Sequence, residues 1–205
     1  MVDNGPMNTR LATPREVGHH GVSETGLTVA ELTIAASWNL QGDPTRPDFV
    51  AEARRLFDVA LPIKVNTTAR SDTLTALWLG PESWLLVAGA ESSLTDFTEK
   101  RDAINQQGGA LFDTSASRVA WTLAGSRAPD VLAKGCPLDF HPRVFAAGAC
   151  AQSLYGHVGV LIEKRDEIPT FTLMVARSYA RDVERALGIV AAQYGLNVLA
   201  ARPYA

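Results

Sequence analysis

The stretch from Lys134 to Phe145, KGCPLDFHPRVF, places a thiol, a carboxylate, an imidazole and two cations close together. Such a set could make a cysteine nucleophile or a metal site. A tetrahedral zinc site takes three or four ligands, usually as two close pairs. Cys136 and His141 offer one pair, and the other cysteine, Cys150, stands alone. A nucleophilic cysteine needs a neighbouring base and oxyanion donors, whereas Cys136 lies between Gly135, which reads as the end of a short helix, and Pro137. The spacing therefore favours a rigid connector. Pro137 and Pro142 fix the backbone, Asp139, His141 and Arg143 tie down its polar groups, and the thiol acts as a small buried hydrophobe. A Cys136 to Cys150 bond stays open on sequence alone.

Other reactive side chains have similar structural readings. Asp113-Thr114-Ser115 beside Arg118 has the hydroxyls and the guanidinium that suit an anion, but Asp113 and Ser115 also suit a turn between strands, which is the favoured reading. Glu82 follows Pro81 in a turn and is read as an exposed turn residue rather than a general base. His19 and His20 are adjacent, so an extended chain points them to opposite sides; they are read as solvated loop residues, not metal ligands. Trp78, Trp84 and Trp121 fall on expected strands, where filling a core is the usual role. No serine occupies a Gly-x-Ser-x-Gly elbow, and Gly108-Gly109 lacks the following Gly-Lys-Ser/Thr of a phosphate loop. The expected catalytic, cofactor-binding and metal-binding sets of this chain are therefore empty.

These residues belong to a chain of 205 residues with 46% hydrophobic and 20% charged content, an ordinary globular composition read as one domain. A net charge of -3 with no Lys/Arg stripe gives no footprint for nucleic acid. No run approaches the roughly 20 apolar residues of a membrane span, and residues 1 to 26 hold no signal-like apolar stretch, so a cytoplasmic location is expected.

Residues 1 to 26 lack periodicity and read as a flexible arm, with 27 to 205 as a single α+β domain. Leu27 to Leu40 reads as a strand, and a helix begins between Thr45 and Asp48 with Phe49, Val50, Ala53, Leu56 and Phe57 on its inner face. Leu61 to Val65 is a possible short strand. Thr73 to Leu79 and Trp84 to Val87 form a hairpin, followed by a helix capped at Ser92 or Ser93, carrying Leu94, Phe97 and Ile104 and stopped by Gly108-Gly109. Two strands lead to a helix capped by Ser126, with Ala128, Val131 and Leu132 inward. Beyond the connector come three strands, Ala149 to Leu154, Val158 to Glu163 and Phe171 to Val175. A last helix is capped by Ser178, with Val183, Leu187, Val190 and Tyr194 inward and Gly195 at its end. The apolar tail from Leu196 should dock. A strand hairpin running into a helix thus occurs twice, around Thr73 to Gln107 and Val158 to Tyr194, and antiparallel sheets packed by helices give the α+β class.

Taken in order, WLGPESWLLV (78 to 87), DTSASRV (113 to 119), LAGSRA (123 to 128), the connector and FAAGACAQ (145 to 152) resemble the gamma subunits of heterotetrameric sarcosine oxidase, over roughly residues 70 to 190. The resemblance implies a pseudo-symmetric domain like the folate-binding domain of the glycine-cleavage aminomethyltransferase. It further implies a non-catalytic subunit, partnered by alpha, beta and delta subunits, in a complex that oxidatively demethylates sarcosine to glycine. FAD, FMN, NAD, tetrahydrofolate and zinc would lie in those other subunits. Two alternatives are a stand-alone folate-binding or one-carbon-transfer domain, and the equivalent subunit of a related N-methyl amino acid dehydrogenase.

Overall fold

The computed structural model describes residues 15–21, 26–89 and 96–204. Two antiparallel sheets with helices account for these residues, and contacts divide the chain into two units, one holding Ile34–Ala116 and the other Ser117–Arg202 with the first two strands.

In the first of these units the sheet order is β4-β5-β6-β3-β7, from β3 (Ala36–Gln41), β4 (Thr68–Arg70), β5 (Leu74–Gly80), β6 (Ser83–Ala88) and β7 (Ala110–Asp113). The β5–β6 hairpin turns at Pro81-Glu82, with Leu77 opposite Leu85 and Trp78 opposite Trp84. Helix α1 (Pro47–Phe57) starts with Pro47, whose missing N–H costs nothing in a first turn. Its Phe49, Ala53 and Phe57 recur every fourth residue, so one face is apolar and buried. Helix α2 (Phe97–Gln106) adds Ile104, and Gly108 at φ 75° supplies the left-handed conformation that ends it. Trp38, Phe49, Trp84 and Ile104 lie in this unit's core. Each such side chain removed from water contributes about 1.5–3 kcal/mol.

The other unit has the order β1-β12-β2-β8-β11-β10-β9: β1 (Gly18–His20), β2 (Leu27–Thr33), β8 (Arg118–Ala124), β9 (Cys150–Tyr155), β10 (Val158–Lys164), β11 (Thr170–Ala176) and β12 (Leu196–Pro203). Helix α3 (Ala128–Ala133) precedes the connector; α4 (Ala180–Ala191) follows β11 through a 3₁₀ turn, Arg177–Tyr179. Val183, Leu187 and Ala191 of α4 join Trp121, Phe171 and Val175 in the core. The two expected hairpin-to-helix repeats are thus β5-β6-α2 and β10-β11-α4, one in each unit.

The structure departs from the sequence reading at several places. Leu27 to Leu40 is two strands belonging to different sheets: the apolar pattern runs on through Ile34, but Ala35 leaves the first ladder and donates to Ala88 O at 3.1 Å. Leu61 to Val65 is not a strand; Ile63 and Val65 are exposed and pair with no ladder. Ser126 and Ser178 do not cap their helices, because Arg127 and Tyr179 occupy the flanking positions, without side-chain cap bonds. Gly18–His20, expected as loop, is an edge strand paired with Leu196–Val198. The expected Ser92, Ser93 and Leu94 lie outside the described residues, as do 1–14 and 22–25. The apolar tail does dock, as β12 between β1 and β2.

Candidate functional site

The connector is built from short-range bonds. Gly135 N and Cys136 N both donate to Leu132 O, at 3.1 and 2.9 Å, closing α3. His141 N donates to Asp139 Oδ1 at 2.8 Å, and Arg143 N donates to His141 Nδ1 at 3.2 Å. Val144 N and Phe145 N then donate to His141 O. Asp139 Oδ1 and His141 Nδ1 thus both accept backbone N–H groups, and Arg143 enters through its own N–H. Phe140 and Phe145 pack edge-on at 5.8 Å and both meet Phe171 of β11, which fixes the connector to the sheet.

Both cysteines are free and buried. The Cys136 thiol donates to Ser153 Oγ at 3.4 Å, an arrangement without a base. Beside it, Tyr155 donates to Val131 O at 3.2 Å; burial, and secondly the neighbouring Cys136, push its phenol up to about 12. Among the described residues no group of three His, Cys, Asp or Glu converges on a point.

The remaining expected positions are scattered. Asp113 Oδ1 accepts from Ser115 N at 2.9 Å and Ser115 Oγ at 2.6 Å, the self-bonded turn that the sequence suggests. Thr114 and Ser115 continue to Ser37, with Thr114 Oγ1 and Ser37 Oγ 3.0 Å apart. Arg118 opens β8 opposite Ala176; burial lowers its pKa, and its Nε has no hydrogen-bond partner among the described residues. Glu82 is exposed in its turn, where its carbonyl accepts from Gly42 N at 3.0 Å. Trp84 is fully buried and donates Nε1–H to Pro62 O at 2.8 Å; Trp121 is buried and Trp78 half-buried. His19 is exposed on the edge strand, and His20 Nε2 lies 2.8 Å from Glu16 O.

One feature escaped the sequence reading. A cavity of about 70 Å³ opens in the β8 unit, among Val29, Glu31, Trp121, Gly188, Ala191 and Leu199. Leu27, Val29 and Glu31 alternate along β2 and so share a sheet face, with Glu31 directly opposite Trp121. Gly188 and Ala191 leave room on the α4 side. Part-exposed Arg15 lies against Gly188, where a Cβ would collide with its guanidinium, and its backbone N–H donates to Glu184 Oε1 at 3.1 Å. A carboxylate inside an apolar alternation was the available signal; without the register nothing distinguished it from a solvent-facing strand residue.

Two sheet-and-helix units, each with the hairpin-helix motif, define an aminomethyltransferase-like fold. The glycine cleavage system aminomethyltransferase T from Bartonella henselae shares it with a TM-score of 0.61 at 15% identity, covering 87% of this chain and 48% of that one. The chain belongs to the sarcosine oxidase gamma subunit family, whose model it matches over residues 41–189. The sarcosine oxidase subunit gamma of Corynebacterium sp. (strain U-96) is 32% identical over 145 residues, 70% of this chain and 69% of the relative. A chain of the heterotetrameric sarcosine oxidase from Corynebacterium sp. U-96, solved in complex with pyrrole 2-carboxylate, superposes with a TM-score of 0.76 at 25% identity, covering 85% of this chain and 88% of that chain.

Proposed function

We propose that this chain is the gamma subunit of a heterotetrameric sarcosine oxidase and acts by supporting assembly of that complex rather than by chemistry of its own. The observation that carries the reading is the family match over residues 41–189, together with the fold shared with a chain of a heterotetrameric sarcosine oxidase. The partners are the alpha, beta and delta subunits. The complex oxidatively demethylates sarcosine to glycine in the cytoplasm, with hydrogen peroxide as co-product, and FAD, FMN, NAD, tetrahydrofolate and zinc reside in the other subunits. Residues 27–205 serve as one α+β domain, to which the Gly18–His20 strand adds a sheet edge. A connector whose carboxylate and imidazole accept neighbouring backbone N–H groups, and whose thiol donates to Ser153 Oγ, supports a non-catalytic role.

The mechanism is mass action: a face buried against a larger subunit favours the assembled state and fixes its geometry. A pull-down of the tagged full-length chain from its native host tests this. A yellow assembly with two larger subunits that forms peroxide from sarcosine is the expected result. A lone, colourless chain under gentle conditions would overturn it.

A further inference from the structure

We propose that the Arg118 guanidinium is a docking point for a carboxylate side chain of a larger subunit, received in a shallow trough on one face of the sheet that holds β8. The inference deepens the subunit reading and rests on it. The register makes the trough. Arg118 stands opposite Ala176 of β11, the β10–β11 register sets Gly159 beside Ala176, and Gly159 stands opposite Leu154 of the edge strand β9. Directly opposed residues share a sheet face, so one row runs from a guanidinium across a methyl group and a bare backbone to a leucine. A Cβ built on Gly159 meets nothing within 4 Å, and Leu154 is 49% exposed, so the row is open at its β10 and β9 end.

Charge selects the occupant. Arg118 is part-buried, and its Nε is out of water with no hydrogen-bond partner among the described residues. Burial alone lowers its pKa; no neighbouring carboxylate offsets that loss of water. A buried N–H without an acceptor is costly, and the planar fork of a guanidinium matches a carboxylate. A cation would be repelled there, and an apolar group would leave Nε unsatisfied. Because the trough is open and has Leu154 at its far rim, it suits a side chain carried on a protein surface, with apolar contact beside the charge pair, rather than an enclosed small anion.

Arg118→Met keeps the reach of the side chain and removes its charge. The isolated full-length variant, relieved of an unpaired buried cation, should melt no lower than the unaltered chain. The copurified assembly should release it about thirtyfold faster or more, as when one member of a buried charge pair is truncated; exchange against labelled chain reads that rate. Gly159→Val, which fills the trough where there is room, should also keep the melting temperature and speed release. A lower melting temperature for Arg118→Met would reveal a partner within the chain and overturn the proposal. Release at an unchanged rate would overturn it too. So would dilute acetate that raises the melting temperature of the unaltered chain but not of Arg118→Met, or self-association that Arg118→Met abolishes, since a free carboxylate or a second copy would then be the occupant. An unaltered chain that copurifies with no larger subunit would overturn the subunit reading as well.

Discussion

The ring of Tyr155 occupies the space that a side chain on Gly135 would need. A Cβ built on Gly135 falls 2.7 Å from two ring carbons, while Gly156 N donates to Gly135 O at 2.7 Å. The end of α3 and the β9–β10 turn are locked together at this contact, and the connector leaves from it.

Gly135→Ala should therefore destabilise the chain by about 1–3 kcal/mol, the usual cost of overpacking a rigid neighbour. Urea unfolding followed by circular dichroism would show a lower midpoint. An unchanged midpoint would mean that the ring yields freely.

Tyr155→Phe tests the other half of the contact. Val131 O would lose its donor in a buried setting, a cost of about 1–3 kcal/mol. The pH dependence carries a sign. Burial favours the neutral phenol, so the folded chain holds its proton to about 12 whereas the unfolded chain releases it near the ordinary 10.0. The stabilisation is complete below pH 10 and is lost as pH rises from 10 towards 12. Urea unfolding across that range should show a steeper decline for the unaltered chain than for Tyr155→Phe; parallel declines would contradict the assignment.

Trp84→Phe should cost about 1–3 kcal/mol, because Pro62 O loses the indole donor. Its midpoint in urea would fall, and Glu82→Gln, in the exposed turn two residues earlier, serves as the control expected to leave it unchanged. Equal midpoints for the two variants would contradict the role given to the Trp84 bond.

Cys136→Ala should leave sarcosine turnover of the assembled complex near normal, since the thiol is buried and donates to Ser153 Oγ rather than to a base. Replacing Pro137 and Pro142 together by alanine should impair assembly, by freeing the backbone that the Asp139 and His141 bonds hold. Peroxide formation and gel filtration of each copurified variant read the two effects. A Cys136→Ala complex that assembles fully yet loses most of its turnover would sink the structural role.

Local rules made much of the fold legible. Phe49, Ala53 and Phe57 share one face of a helix, Gly-Pro-Glu-Ser marks a hairpin, and Gly195, at φ 71°, ends the 3₁₀ turn Ala192–Tyr194 that follows α4. The connector's hydrogen bonds were legible for the same reason, as they span only two to four residues. What escaped is set by long-range pairing. Ile34 continues the apolar run that hides the change of sheet, and nothing near His19 announces that Asn197 is its partner, far along the chain. The cavity needed register too, because only the pairing of Glu31 with Trp121 turns that carboxylate inward.

The central claim is that this chain supports an assembly, and removing it from that assembly is the direct test. The larger subunits would be expressed with and without this chain, and flavin absorbance, complex size and sarcosine-dependent peroxide formation would be recorded, followed by add-back of the purified chain. The account predicts loss of the intact complex and of turnover without it, with both restored on add-back by the unaltered chain and by Cys136→Ala. A complex that forms and turns over at the full rate in its absence would contradict the account.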